Sequence, residues 1–254
     1  MRVNYHTHTP RCGHAKGTDA QYMECAIAGG IEVLGFSEHC TYLMHPGVTE
    51  KPHLTKEMLP DYVREIRETA QQYKDKIAVH VGMESEYYPS THRELCARLR
   101  DVGVEYLLLG QHFLDSPAHQ RTRNEIYDPA ILAHYCDQVI EGMQTGTFTY
   151  VCHPDCILFL GDRGVLKQQL RRICREAKEC GLPLEINLNG IHKNQHYPCR
   201  EFFELAAEEG NTVILGADAH LPERFTDHTA EEKALELIRQ YDLTLVETVP
   251  FQPF

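Results

Sequence analysis

Short apolar, β-branched runs alternate with amphipathic stretches along the whole chain. Strand-like runs fall at 2–6, 32–37, 77–82, 106–110, 148–152, 183–187 and 212–216, with a weaker one at 243–247. Between them apolar residues recur at helical spacing. One set is Met58, Tyr62, Ile66, Thr69 and Tyr73; another is Leu166, Leu170, Ile173, Cys174 and Ala177; a third is Ala234, Leu237, Ile238 and Tyr241. A single apolar stripe on a charged helix marks a face that packs on a core. Seven or eight strands alternating with helices predict βα units and a parallel sheet. No Pro-, Gly- or Ser-rich linker divides the chain, so residues 1–254 read as one α/β domain whose length fits a TIM-like barrel. An open doubly wound sheet is the alternative, but no GxGxxG follows the first strand to support its dinucleotide-binding form.

The polar residues add a positional signal. The first strand runs into His6-Thr7-His8, the second into Ser37-Glu38-His39 and the third into Gly82-Met83-Glu84. The fourth runs into Gly110-Gln111-His112, the fifth into Cys152-His153-Pro154-Asp155 and the seventh into Asp218-Ala219-His220. In a barrel these ends share one rim, where active sites are built. Residues two apart on a strand point the same way, so His6 and His8 can reach one ion, and Asp218 and His220 have the same spacing. Imidazole nitrogen with carboxylate oxygen suits zinc, iron or manganese. A donor set without thiolates and with ligands to spare reads as catalytic rather than structural.

Composition narrows the partners. The 42% apolar fraction excludes a disordered chain. With 25 Lys and Arg against 37 Asp and Glu, the formal charge of −12 argues against a general nucleic-acid binder. An anionic small molecule remains possible where metal ions reverse the local sign. The start, MRVNYHTHTP, has no apolar secretory core, and no run of 18 apolar residues exists, so a cytoplasmic protein without a membrane span is expected. None of the ten cysteines forms a CxxC pair, which predicts reduced thiols that mostly fill the core.

The order HTHTP, RCGHA, GFSEH, GMESEY, GQHF, CHPD, EINLNG and GADAH, over residues 2 to 222, resembles the polymerase and histidinol phosphatase superfamily. The chain is most similar to its monofunctional histidinol-phosphate phosphatase branch. The resemblance implies a distorted (β/α)7 barrel with three divalent ions, Zn, Fe or Mn, at the rim. It implies His6, His8, Glu84 and Asp218 around the first ion. Glu84 would bridge to a second ion with His112 and His153. His14, His39 and His220 would hold the third. Only the resemblance singles out His14, which lies in a loop.

Adjacent ions sharing Glu84 would lower the pKa of a trapped water, and the resulting hydroxide would attack phosphorus in line with the leaving alcohol. Glu38 and Asp155 are candidates to accept the second N–H of ligand histidines. A phosphate ester also calls for cationic side chains, for which Arg163 and Lys193 are favoured over Arg11 and Lys16. Glu185, Asn187 and Asn189 share one face of the sixth strand end and are candidates to bind a substrate amine or imidazole. Two positions depart from the branch's pattern: Glu38 stands where Asp is usual, and His192 where Arg is common. With an unperturbed pKa near 6.5, His192 is the candidate general acid.

The expected activity is hydrolysis of L-histidinol phosphate in histidine biosynthesis, with Glu84, Asp218 and His192 in catalytic roles. Phosphoester hydrolysis of another small phosphomonoester or a nucleotide on the same centre is the alternative. The expected partner is a small phosphorylated metabolite; no nucleic acid or membrane is expected, and the protein is a monomer or homo-oligomer.

Overall fold

The computed structural model describes residues 1–49 and 51–254. Eight strands form one parallel sheet in sequence order: β1 (Val3–Asn4), β2 (Val33–His39), β3 (Ala78–Ser85), β4 (Tyr106–Leu109), β5 (Tyr150–Val151), β6 (Leu184–Asn187), β7 (Thr212–Gly216) and β8 (Thr244–Leu245). The helices are α1 (Asp19–Ala28), α2 (Leu59–Ala70), α3 (His92–Asp101), α4 (Pro129–Gln144), α5 (Arg163–Glu179), α6 (Leu188–His192), α7 (Arg200–Glu209) and α8 (Thr229–Tyr241). Parallel neighbours require crossovers, and the helices supply them.

The sheet curls until its seventh strand meets its first. Thr7 and Ala219 form a parallel bridge, with His8 N donating to Ala219 O at 2.9 Å. Asn4 reinforces this seam: its Oδ1 accepts from Ala217 N at 2.8 Å, and its Nδ2 donates to Thr7 Oγ1 at 2.8 Å. The side chain of Asn4 thus stands in for ladder bonds, which is why β1 is shorter than the predicted run 2–6. At the other end of β7, Thr212 and Val213 pair with β8. Seven strands therefore close the ring at the carboxyl rim, and the eighth fills the opposite end.

Two apolar clusters hold this arrangement. The larger lies between the sheet and the helices. There the α5 stripe Leu166, Leu170, Ile173, Cys174 and Ala177 is buried as predicted. On α2 the predicted Tyr62 and Ile66 are buried, joined by Leu59 and Val63, while Met58 at the predicted start of the stripe is exposed. The smaller cluster fills the ring with Val3, Tyr5, Tyr106, Leu108, Tyr150, Cys152 and Ile214. Phe251 of the C-terminal tail stacks on Tyr106, ring centroids 4.7 Å apart, and covers its lower end. All ten cysteines are free thiols, and no helix among the described residues is long and apolar enough to cross a membrane.

Tyr106 joins three strands. Its hydroxyl lies 2.6 Å from Tyr5 O and 2.9 Å from Phe36 O, inside the ring. Removing a buried donor leaves its acceptors unsatisfied at about 1–3 kcal/mol. Tyr106→Phe is expected to lower the free energy of unfolding by that amount, read as a lower urea midpoint with an unchanged slope; an unchanged midpoint contradicts this role.

Candidate metal centre

The rim gathers the residues that the strand ends deliver. His6 and His8 leave β1, His39 ends β2, Glu84 lies in β3, and His112 and His153 follow β4 and β5. Asp218 and His220 follow β7, and His14 comes from the loop before α1. Strands β2 and β3 run two and three residues further than the apolar pattern predicts, so His39 and Glu84 are held by ladder bonds rather than by loops.

Glu84, 1% exposed, is the hub. Its Oε1 lies 2.7 Å from His153 Nε2 and 3.4 Å from His112 Nε2. Its Oε2 lies 3.5 Å from both His6 Nε2 and His8 Nε2, and 2.8 Å from His39 Nδ1. Asp218 Oδ1 lies 3.1 Å from His8 Nε2 and 3.7 Å from His6 Nε2. The His220 ring stacks on His8 at 4.2 Å between centroids, and its Nε2 lies 3.0 Å from His14 Nε2. All nine residues that the sequence points to as metal ligands meet here.

What lies behind the imidazoles fixes which nitrogen faces inward. His6 Nδ1 contacts Glu185 Oε1 at 2.7 Å, His8 Nδ1 contacts Glu38 Oε1 at 3.3 Å, and His112 Nδ1 contacts Glu86 Oε1 at 3.0 Å. A carboxylate only accepts, so each Nδ1 carries a hydrogen, and in the neutral form that ligation requires each ring turns its Nε2 lone pair toward Glu84 and Asp218. The same logic applies at the open edge. His14 Nδ1 donates to Cys12 O at 3.0 Å, and His220 Nδ1 donates to Asp218 O at 2.9 Å. Their Nε2 lone pairs then face each other. Lone pairs aimed at carboxylates and at one another repel unless a proton or a metal cation lies among them. Consistent with this, His6 Nε2 and His8 Nε2 are buried without a hydrogen-bond partner. The donor set fits divalent cations.

The charges point the same way. Burial opposes a charge on His6 and His8, yet carboxylates prevail. Glu185 leads in lifting His6 well above its ordinary value, and Asp218 and Glu38 lift His8 to about 9. Against their own burial, Glu84 is held well below the carboxylate range by His112, His39 and His6, and Asp218 by His6, His220 and His8. Burial pushes His112 down to about 4, and burial with His39 does the same to His14.

The backbone is bent to make this cluster. His153 has φ 27° and Asp218 φ 46°; for residues with a Cβ this costs about 1–3 kcal/mol each and persists only where surroundings enforce it. Asn187 Nδ2 and Asn189 Nδ2 hold Asp218 Oδ2 at 3.2 and 3.1 Å. Two glycines make room: a Cβ on Gly110 would fall on Glu84 Oε1, and one on Gly216 on Glu185 Oε1.

Several sequence expectations are corrected. The guanidinium of Arg11 is taken up by Asp19, at 2.9 and 2.8 Å, and Glu65, at 2.7 Å. Arg163 starts α5, is exposed, and pairs with Glu201. Lys193 is exposed at the end of α6. Lys16 is exposed too, although its backbone N donates to His220 O at 3.0 Å and keeps it at the rim. The His192 ring packs on Arg224, 3.3 Å from Nδ1, and on Asp227 at 3.6 Å, so its polar partners lie with these two residues rather than in the cluster. Asn187 is engaged by Asp218, Glu185 and Gly190 N, Asn189 Nδ2 donates to Asp218, and Glu185 serves His6. Asp155 accepts from Cys199 N, not from a histidine. Glu86, which orients His112, was not singled out from sequence; its signal was its position two residues from Glu84. Also unforeseen was a cavity of about 450 Å³ beside the cluster, where Arg121 and Arg123 line the wall with His14, His39 and His112.

Comparison with known proteins agrees with this geometry. Residues 4–189 match the PHP domain. The chain is 28% identical to a probable histidinol-phosphatase of Deinococcus radiodurans, over 89% of this chain and 90% of that protein. It is 29% identical to a histidinol-phosphatase of Bacillus subtilis, over 85% and 92%. In fold it is similar to the histidinol phosphate phosphatase of Lactococcus lactis, crystallised with Zn, L-histidinol and phosphate (TM-score 0.74, 19% identity, 99% and 97% covered). With a match across most of its length and the motif residues gathered at one rim, the chain belongs to the PHP domain family.

Proposed function

We propose that the chain is a metal-dependent phosphatase that hydrolyses L-histidinol phosphate to L-histidinol and phosphate on three divalent ions. The observation that carries the reading is the set of inward lone pairs around Glu84, together with histidinol-phosphatases among its relatives over nearly full length. His6, His8, Glu84 and Asp218 would hold the first ion, Glu84, His112 and His153 the second, and His14, His39 and His220 the third. Their nitrogen and oxygen donors suit zinc, iron or manganese. Bound ions supply Lewis-acid activation of water and neutralise charge on the phosphoryl oxygens.

The chain's own residues do the positioning. Glu185, Glu38 and Glu86 keep His6, His8 and His112 in one tautomer, which raises their basicity and leaves no rotation to freeze out on ligation. Asn187 and Asn189 fix the Asp218 carboxylate from its far oxygen, leaving Oδ1 directed at His8. The cavity beside His39 and His112 admits a small phosphorylated metabolite, in keeping with the acidic surface that disfavours nucleic acid.

The test of the activity is phosphate release by the metal-loaded protein against histidinol phosphate and a panel of nucleoside monophosphates. Expected is a kcat/KM for histidinol phosphate at least about a hundredfold above the panel, the discrimination that a polar pocket supplies; slow, even hydrolysis of all substrates overturns the assignment. Ion binding has its own signature. In the metal-free cluster His8 is lifted to about 9 and so is protonated at pH 7, and neighbouring carboxylates also raise His6 and His153, whereas ligation needs neutral rings. Binding must therefore release protons, so the calorimetric enthalpy of zinc binding varies with the buffer's ionisation enthalpy, and a buffer-independent enthalpy contradicts this. Glu86→Gln, which loosens the His112 tautomer, is expected to weaken metal affinity by about 10–100-fold with the fold intact by circular dichroism.

A further inference from the structure

Arg123 is the unusual cation of this molecule. Most arginines near its surface face carboxylates: Arg11 with Asp19 and Glu65, Arg171 with Glu208 and Glu209, Arg172 with Asp137. Arg123 has only the neutral hydroxyl of Tyr197, 3.2 Å from Nη1, and its Nε is buried without a partner. Among the described residues no carboxylate lies within ion-pair distance of it. A guanidinium stays charged at any physiological pH, and a half-buried charge without a counter-ion is costly. Such a group is kept where an anion arrives.

Its surroundings say where that anion comes. The main chain at Thr122 N donates to His112 O at 2.9 Å, and Phe113 bridges Arg121 in antiparallel fashion. Side chains alternate across such a strand. Thr122 is buried toward Cys156, while Arg121 and Arg123 both line the cavity that His14, His39 and His112 also line. Arg123 lies over the Tyr197 ring, 5.8 Å from its centroid, and that ring lies 5.9 Å from His153. Arg121, exposed over the Phe113 ring at 5.9 Å, stands at the mouth. Of the cations expected from sequence, Arg11 and Arg163 are paired elsewhere, and Lys16 and Lys193 are exposed.

We infer that Arg123, with Arg121 at the entrance, binds the phosphoryl oxygens of the substrate's phosphate monoester in the cavity beside His112. This deepens the phosphatase reading and rests on it for the identity of the anion. A planar fork matches two phosphate oxygens at once and favours a terminal dianion over a bridging diester. No bond is made or broken by these residues; they bind and orient.

Inorganic phosphate is the probe, titrated calorimetrically into metal-loaded wild type, Arg123→Met and Arg121→Met, with melting temperatures recorded with and without phosphate. Expected for Arg123→Met is phosphate binding weaker by about 10–100-fold, the loss of a charge-assisted hydrogen-bond pair, with ion content unchanged. Without phosphate its melting temperature should equal or exceed wild type, because an unpaired, half-buried charge has been removed. Arg121→Met should weaken phosphate by a few-fold. Tyr197→Phe should bind phosphate as wild type does. Undiminished phosphate affinity in Arg123→Met overturns the assignment, and so does a lowered melting temperature with undiminished affinity, which marks a structural role. If Arg123→Met does not fold, Arg123→Lys decides: it keeps the charge without the fork, and wild-type affinity there overturns the proposal. A wild-type protein that binds phosphate through Arg123 yet releases none from any monoester supports the assignment and overturns the phosphatase reading instead.

Discussion

The structure turns on imidazoles held from behind. Three carboxylates, Glu185, Glu38 and Glu86, and two backbone carbonyls, those of Cys12 and Asp218, accept the outer N–H of five histidines. An acceptor behind a ring dictates a lone pair in front of it. Those lone pairs converge on Glu84, Asp218 and one another, an arrangement that only positive charge relieves. A net-acidic chain has built a pocket whose electrostatics are completed from outside, and the proposed ions account for the orientation of every ring so held.

Holding that geometry costs stability, and the fold bears the cost in identifiable places. His153 and Asp218 take left-handed backbone angles, and Gly110 and Gly216 give up side chains so that Glu84 and Glu185 can enter. The compensation lies below the rim. A ring interior of tyrosines and aliphatic residues is sealed by Phe251, and the larger core between sheet and helices anchors each strand end. Closure of the sheet through Asn4, Thr7 and Ala219 brings the first and seventh strands together, so His6, His8, Asp218 and His220 share one seam.

The alternation of apolar runs with amphipathic helices was enough to foresee a parallel barrel, and the polar residues at six strand ends marked its working rim. His14 needed more: it sits in a loop, and only the RCGHA resemblance singled it out. Positions read from sequence failed where a side chain has a nearer partner than the site. Arg11 is captured by Asp19 and Glu65 and Arg163 by Glu201, and His192 packs on Arg224 and Asp227. Asn187 and Asn189 stood on the right face but serve Asp218. Glu86 and Arg123 were missed for a related reason. Their meaning lies in a pairing across strands, or in the lack of one, which spacing along the chain does not express.

The most direct test of the central claim is the ion content of the purified chain, by mass spectrometry after supplementation with zinc or manganese and gel filtration, for wild type and Glu84→Gln. If Glu84 is the hub of a multi-ion centre, wild type retains about three ions per chain and Glu84→Gln about one, held by His14, His39 and His220. Wild type retaining at most one ion, or Glu84→Gln retaining as many as wild type, would contradict the account.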